Sequence, residues 1–148
     1  MPTVLVIEDD FTSANVVSHV LQREGFTVLT TTEPEEAYRF SHDQRIDVVI
    51  CDVVLRAEVT GTDVALRIRE SCLQIPILFV SGTAFEGWPD ADFANLEALL
   101  RTGRTDFVMK PFTAQALVRS ISRLLESTYV DTGIRSVFDS AREFRSKR

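Results

Sequence analysis

Short apolar runs of strand length alternate along the chain with stretches whose apolar residues recur at helical spacing. The apolar runs are residues 3–7, 26–31, 47–52, 77–80 and 107–109, and the helical stretches include 11–24, 34–42, 62–71 and 114–127. Strands without interior polar residues are typical of a parallel sheet that is covered on both faces. Five such strands, each followed by a helix, predict a doubly wound α/β domain.

Local signals support several of these boundaries. Gly25 is suited to ending the first helix, because glycine accepts the left-handed backbone that often follows a helix. Pro34 opens the second helix, since proline is favoured in the first helical turn. Thr113 is placed to cap the last helix of the alternating pattern.

Polar residues stand at the carboxyl ends of four of the five apolar runs. Glu8 and Asp9 follow the first run, Asp52 ends the third, Ser81 follows the fourth and Lys110 follows the fifth. In an open parallel sheet these ends meet in one crevice, where ligands bind. Three acids, a hydroxyl and an ammonium in one crevice suit a divalent cation and a phosphoryl group.

The chemistry of this set predicts a role for each residue. Carboxylates are hard ligands suited to Mg²⁺, so we expect Asp9 and Asp52 to contact the ion and Glu8 to hold one of its waters. One oxygen of Asp52 then remains free as a nucleophile. Lys110 and Ser81 are placed to stabilise the charge that develops on phosphoryl oxygens.

Composition narrows the class of protein. A length of 148 residues allows one ordinary domain, and a net charge of −6 with a pI near 4.9 disfavours general nucleic-acid or anionic-membrane binding. No apolar stretch has the length needed to cross a bilayer. Cys51 and Cys72 lack the spacing of a metal or redox motif, so we expect a reduced, cytoplasmic protein.

The motifs together resemble the receiver domain of two-component response regulators. The resemblance covers residues 1–127 and rests on Asp52, Gly61 and three short segments: Val-Ile-Glu-Asp-Asp at 6–10, Val-Ser-Gly at 80–82 and Lys-Pro-Phe at 110–112. It implies a flavodoxin-like sheet with strand order 2-1-3-4-5. It also implies a single-domain signalling protein that is phosphorylated on Asp52 by a partner histidine kinase or histidine phosphotransfer protein, with Mg²⁺ required.

The resemblance also assigns individual residues. Glu8 and Asp9 match the acidic pair, and Lys110 matches the lysine of the family, with a cis peptide often preceding Pro111. Ser81 matches the switch hydroxyl, Phe107 the switch aromatic, and Val54 the residue whose backbone carbonyl contacts the metal. Because the apolar side chain of Val54 lies beside the path of an attacking water and cannot orient it, we expect slow self-dephosphorylation.

Several features depart from the family pattern. Arg56 stands where proline is common, and the loop to Gly61 is one residue longer. The segment 83–92, which includes Trp88, lengthens the interval between Ser81 and Lys110. Phe107 lacks a phenolic hydroxyl. These departures cluster near the face between the fourth and fifth strands, where receivers usually signal. Packing is the expected use of Trp88, with a partner contact as the alternative.

The tail, residues 128–148, has no counterpart in a minimal receiver. Its apolar residues Ile134, Val137, Phe138, Ala141 and Phe144 fall on one helical face. The tail carries a net charge of +2 and the rest of the chain −8. We expect an amphipathic helix that docks on the receiver, pairs two chains as a homodimer, or binds a partner. The alternative is a frayed, solvated end.

Three functions of different class remain open. The leading one is a phosphorylation-controlled switch that signals to an unknown downstream protein, without turnover of an outside substrate. A pseudo-receiver that binds partners without phosphorylation is disfavoured by the intact Asp9, Asp52 and Lys110. A haloacid-dehalogenase-like phosphatase is disfavoured because Phe11 stands where its second aspartate belongs. Met1 close to the first strand suggests a natural start.

Overall fold

The computed structural model describes residues 1–55, 58–72, 74–126, 129, 131 and 133–147. Five strands and six helices occur in these residues. The strands are β1 (Thr3–Ile7), β2 (Thr27–Thr31), β3 (Val48–Asp52), β4 (Ile77–Ser81) and β5 (Thr105–Met109). The helices are α1 (Phe11–Arg23), α2 (Pro34–Asp43), α3 (Gly61–Ser71), α4 (Asp90–Thr102), α5 (Ala114–Leu125) and α6 (Ile134–Ser146).

All four strand pairings are parallel, and the sheet order is β2-β1-β3-β4-β5. The predicted fold class and strand order are therefore confirmed. Ile7 pairs with Cys51, Asp52 with Val80, and Ser81 with Met109. This register brings the carboxyl ends of β1, β3, β4 and β5 to the same edge of the sheet.

The sheet separates two apolar layers. Alternate residues of the central strands face opposite sides, so that Leu5 and Ile7 pack in one layer while Val4 and Val6 pack in the other. Helices α2, α3, α4 and α6 cover the first face, and α1 and α5 cover the second. Burial on both faces explains why the central strands are continuously apolar.

The predicted helix boundaries hold to within one or two residues. Gly25 has a φ of 94° directly after α1, and the Thr113 hydroxyl accepts from the Ala116 N–H at the start of α5. Helix α3 begins one residue earlier than predicted, because Thr60 forms a capping box with Asp63. Helix α5 ends at Leu125 rather than at residue 127, as Glu126 is extended. Ser127 and Arg56 lie outside the described residues.

The segment between β4 and β5 has more structure than the sequence pattern indicated. A short 3-10 turn, Phe85–Gly87, is followed by Pro89 and then by α4, for which the pattern gave no bounds. Trp88 is buried, and its ring packs edge-on against Phe79 and Phe85. The prediction that Trp88 serves packing is confirmed.

The tail forms an ordered amphipathic helix, α6. Its residues Ile134, Phe138 and Ala141 are buried, whereas Val137 and Phe144 are exposed. The predicted apolar face is therefore only partly covered. Among the described residues, no helix is both long enough and apolar enough to cross a membrane. Both cysteines are free thiols.

Candidate functional site

Asp52 is held at the carboxyl end of β3 by main-chain contacts. The residue is 6% exposed, and its Oδ1 accepts a hydrogen bond of 2.9 Å from the Val54 N–H. The next residue, Val53, bonds to Val80 on β4 and accepts from the Gly61 N–H. A Cβ at Gly61 would overlap the carbonyl oxygen of Asp52, so the start of α3 approaches β3 as closely as only glycine permits.

Lys110 joins two carboxylates of different strands. Its Nζ lies 2.7 Å from Asp52 Oδ2 and 3.2 Å from Glu8 Oε2. Its main-chain N–H donates to the Ser81 carbonyl at 2.8 Å, which fixes the strand end that carries it. The peptide bond between Lys110 and Pro111 is cis, as the resemblance implied. We call Glu8, Asp52 and Lys110 the acid pocket.

The pocket has a marked effect on the ionisation of its groups. Burial, reinforced by the hydrogen bond to Asp52, raises the pKa of Glu8 from 4.5 to about 7. Burial opposes the charge of Lys110, but the hydrogen bonds and charges of Asp52 and Glu8 outweigh it and raise the pKa of Lys110. The ammonium therefore stays charged and partly neutralises two buried carboxylates.

The two other acids after β1 have different surroundings. Asp9 is half-buried beside Glu8. Asp10 is exposed and caps α1: its carboxylate accepts from the Thr12 N–H and the Ser13 hydroxyl. The Asp10 N–H donates to Glu8 Oε1 at 3.0 Å. The capping residue thus also helps to orient the acid pocket.

Ser81 and Val54 occupy opposite environments near Asp52. Ser81 is 1% exposed, and its Oγ accepts a hydrogen bond of 3.0 Å from the Thr83 N–H. Val54 is 67% exposed. The described structure thus places a buried hydroxyl at the end of β4 and an apolar side chain in solvent beyond β3.

Phe107 lies at the middle of β5 and is half-buried. Its ring centroid is 4.7 Å from that of Phe85 and 5.8 Å from that of Trp88. Two aromatic rings of the segment after β4 therefore contact the predicted switch residue. The structure brings Glu8, Asp52 and Lys110 together, with Asp9 and Ser81 on adjoining strand ends and Phe107 further down β5.

The donor chemistry of the pocket fits Mg²⁺. Two buried carboxylates face one ammonium, and half-buried Asp9 stands next to them. Within the described part of the chain, no group of three or more histidine, cysteine or acidic residues is close enough to hold a metal. Mg²⁺ usually takes only one or two protein carboxylates and keeps several waters, so the oxygens that are present suit it.

A buried polar cluster lies behind the site, and the pattern of strand ends did not predict it. The hydroxyls of Thr60 and Thr62 both donate to Asp92 Oδ1, and Asn95 donates to Thr62. The cluster ties the start of α3, next to Asp52, to the first turns of α4. The capping-box spacing of Thr60 and Asp63 was the available signal for this helix start.

Comparisons with known proteins match most of the chain. The family model described as the response regulator receiver domain matches residues 4–122. The chain is 35% identical over 130 residues to the probable transcriptional regulatory protein TcrX of Mycobacterium tuberculosis, covering 88% of this chain and 52% of that protein. It is 32% identical to the uncharacterized transcriptional regulatory protein YbdJ of Bacillus subtilis, covering 85% and 52%. The chain spans about half the length of these curated relatives.

A solved structure shows the same architecture. The chemotaxis protein CheY4 of Vibrio cholerae superposes with a TM-score of 0.73 at 28% identity, covering 84% of this chain and 99% of that one. The matched share of this chain is close to the length that the family model covers.

Proposed function

Because the chain belongs to the response regulator receiver domain family of two-component systems, we propose that Asp52 accepts a phosphoryl group from a phosphohistidine of a histidine kinase or histidine phosphotransfer protein. The contact of 2.7 Å between Asp52 Oδ2 and Lys110 Nζ supports this most directly. It places a buried nucleophilic carboxylate beside a cation that can stabilise charge on phosphorus.

The proposed reaction is a transfer between two nucleophiles. A carboxylate oxygen of Asp52 forms a bond to phosphorus, while the bond from phosphorus to the imidazole nitrogen breaks and the nitrogen keeps the electron pair. Lys110 stabilises the equatorial oxygens, and the Ser81 hydroxyl donates to one of them. When bound, Mg²⁺ would neutralise charge on the phosphoryl oxygens; Asp9, Asp52, the Val54 carbonyl and, through water, Glu8 would hold it.

The test is phosphorylation by a small donor. We expect acetyl phosphate with Mg²⁺ to add one phosphoryl group to the full chain, as measured by intact mass. Asp52→Ala should abolish the adduct, whereas Asp43→Asn, which changes an exposed aspartate at the end of α2, should keep it. An adduct that survives in Asp52→Ala would place the phosphoryl group elsewhere and overturn the proposal.

The same samples separate the proposed switch from the two alternative classes. A receiver that modifies only itself should not turn over a generic phosphomonoester, so sustained release of phosphate from such a substrate would favour the phosphatase. Absence of both an adduct and Mg²⁺ binding would favour the pseudo-receiver.

We propose further that the phosphoryl group on Asp52 is long-lived. Val54 reaches into solvent next to Asp52 but has no polar side-chain atom with which to orient water. Replacing it by Asn, which can position a water, should shorten the lifetime of the adduct. A lifetime of seconds in the parent, not lengthened by any substitution of Val54, would contradict this.

A further inference from the structure

Helix α6 docks on a surface built mainly of aromatic rings, Phe85, Trp88, Phe93 and Phe107, which we call the aromatic face. Phe138 of α6 is 1% exposed and stacks on Phe93 of α4, with ring centroids 4.4 Å apart and an interplanar angle of 11°. Ile134 and Ala141 are buried in the same layer. The face is thus already occupied by a helix of the same chain.

Arg145 fastens α6 to the segment that follows β4. Its Nη1 donates to the carbonyls of Phe85 at 3.1 Å, Glu86 at 3.3 Å and Trp88 at 2.7 Å. Its Nη2 pairs with Asp90, and its guanidinium lies over the ring of Phe93 at 4.4 Å from the centroid. The Arg145 side chain is only 8% exposed. The contacts of Arg145 therefore depend on the conformation of the whole segment 85–90.

Thr83 links this segment to Ser81. The Thr83 N–H donates to Ser81 Oγ, and the Thr83 carbonyl accepts from the indole Nε1 of Trp88 at 2.8 Å. A continuous series of hydrogen bonds thus runs from Ser81 through Thr83 and Trp88 to Arg145. Ser81 Oγ accepts in this series, so a movement of the Ser81 side chain that breaks its bond from the Thr83 N–H would reach the segment that anchors α6.

The first turn of α6 has contacts of its own: Ile134 is buried, and Arg135 Nη2 donates to the Leu100 carbonyl at 2.9 Å. A cavity of about 230 Å³ lies between α6 and β5, lined by Ile134, Val137, Phe107 and Asp106 among others. Phe107 therefore has space beside its ring, next to the helix. The contact of α6 therefore involves both ends of the helix, with this cavity beside Phe107.

We propose that the aromatic face is a helix-binding surface, that α6 occupies it in the unphosphorylated chain, and that phosphorylation of Asp52 releases α6. This rests on the proposed function, since the trigger is the Ser81 hydroxyl turning from Thr83 toward a phosphoryl group on Asp52. Moving Thr83 and Trp88 would weaken the hold of Arg145, because its carbonyl acceptors belong to the same stretch of chain. By linkage, docked α6 opposes phosphorylation to the same degree.

The experiment is hydrogen exchange on the full chain, with and without acetyl phosphate and Mg²⁺, and with the phosphorylated fraction measured on the same samples by intact mass. We expect the α6 amides to exchange about tenfold faster in the phosphorylated protein. Trp88, the single tryptophan of the chain, gives a second readout, because its emission should move to longer wavelength as α6 leaves.

A matched pair of variants tests the reciprocal effect. Arg145→Gln should speed exchange in α6 without phosphorylation and raise the phosphorylated fraction at a given donor concentration. Lys147→Gln removes a charge of the same helix whose ion pair is with Glu143 of α6 itself, and it should change neither quantity. Unchanged exchange in β1 and β3 amides would show that Arg145→Gln remains folded.

The outcomes are distinguishable. An adduct on Asp52 with unchanged protection of α6 overturns the release of the helix but keeps the proposed function. Faster exchange of α6 in Arg145→Gln without any gain in phosphorylation overturns the coupling. Absence of an adduct in every sample overturns the proposed function and this inference with it.

Discussion

The acid pocket and the aromatic face are connected through Ser81, yet they are built by different means. The Ser81 carbonyl accepts from the Lys110 N–H of the pocket, and Ser81 Oγ is linked through Thr83 to Trp88 of the aromatic face. The pocket consists of charged side chains at strand ends, placed by the register of a parallel sheet. The aromatic face consists of rings from the segment after β4, from α4 and from β5, and it is closed by a helix at the far end of the chain. One region is set by topology and the other by packing.

This difference indicates what each region is suited to do. Charged groups of the pocket are buried and paired, so that a phosphoryl group or a metal changes the local balance of charge strongly. The aromatic face is covered through dispersion contacts and through arginines of α6: Arg135 and Arg145 donate to main-chain carbonyls. The carboxylates that pair with α6 arginines on α4, Asp90 and Glu97, are not buried. In the function and helix release that we propose, the place of modification is therefore separate from the place of response.

The largest expected effect is on the chemistry of the pocket. Lys110→Met removes the cation beside Asp52 and should slow phosphorylation by acetyl phosphate about a thousandfold, equivalent to about 4 kcal/mol. Lys147→Met, at the only other lysine of the sequence, is the control and should leave the rate unchanged. Rates are measured by intact mass against time. An unchanged rate in Lys110→Met would remove the ammonium from the mechanism.

The next largest expected effect is on stability, and it tests whether the start of α3 must lie close to the main chain of Asp52. Gly61→Ala would drive a Cβ into the main chain at Asp52, which cannot move aside as a flexible side chain does. We expect a loss of about 3 kcal/mol in the free energy of unfolding, measured by urea denaturation. Gly82→Ala is the matched control, because a Cβ there meets no heavy atom within 4 Å. Equal stability of the two variants would contradict the close approach of α3.

The two regions also differ in how far the sequence predicts them. Strand ends are visible as polar residues after apolar runs, so the pattern of the chain alone places Glu8, Asp52, Ser81 and Lys110 at one edge of the sheet. The role of Arg145 could not be predicted in this way, because most of its hydrogen bonds go to main-chain carbonyls far away along the chain, and carbonyls carry no signature in the sequence. Sites at strand ends can be predicted from the local sequence once the sheet topology is known, whereas packing contacts depend on segments that are distant along the chain.

Helix α6 also shows that the sequence pattern cannot predict which packing contacts form. Helical spacing predicted a single apolar face, and it predicted α6 itself correctly. Spacing cannot tell which part of that face finds a partner: Phe138 is buried against α4, while Phe144 is 58% exposed. The direction from which α4 approaches decides this, and that direction is a property of the assembled fold.

These two phenylalanines give a direct test of the aromatic face. Phe138→Ala opens a cavity beside Phe93 and should lower the free energy of local opening of α6 by about 2–3 kcal/mol. The loss concerns local opening of α6 rather than unfolding of the sheet. Phe144→Ala removes the same side chain from the exposed side of the helix and should cost less than about 0.5 kcal/mol. Hydrogen exchange of the α6 amides measures both. Similar losses would mean that α6 is not docked through Phe138.

The smallest effect concerns the charge of the pocket and depends on pH. The pKa of Glu8 is raised from 4.5 to about 7 in the folded chain, so between these values the folded state holds a proton that the unfolded state has lost. Stability therefore falls as the pH rises from about 4.5 to about 7 in the absence of Mg²⁺. Glu8→Gln removes this titration while keeping an acceptor for the Asp10 N–H.

We accordingly expect Glu8→Gln to be more stable than the parent by about 1–2 kcal/mol above pH 7, with the difference vanishing near pH 4. Urea denaturation across this range measures it, with Glu24→Gln, at the exposed end of α1, as the control for loss of one carboxylate. If the stability of Glu8→Gln depends on pH in the same way as that of the parent, burial does not destabilise ionised Glu8. If Glu8→Gln removes the pH dependence of the free energy of unfolding, ionised Glu8 lowers the stability of the fold in the absence of a metal. A divalent cation that binds in the acid pocket would restore this stability. The four rings of the aromatic face have no carboxylate through which a cation could act in this way.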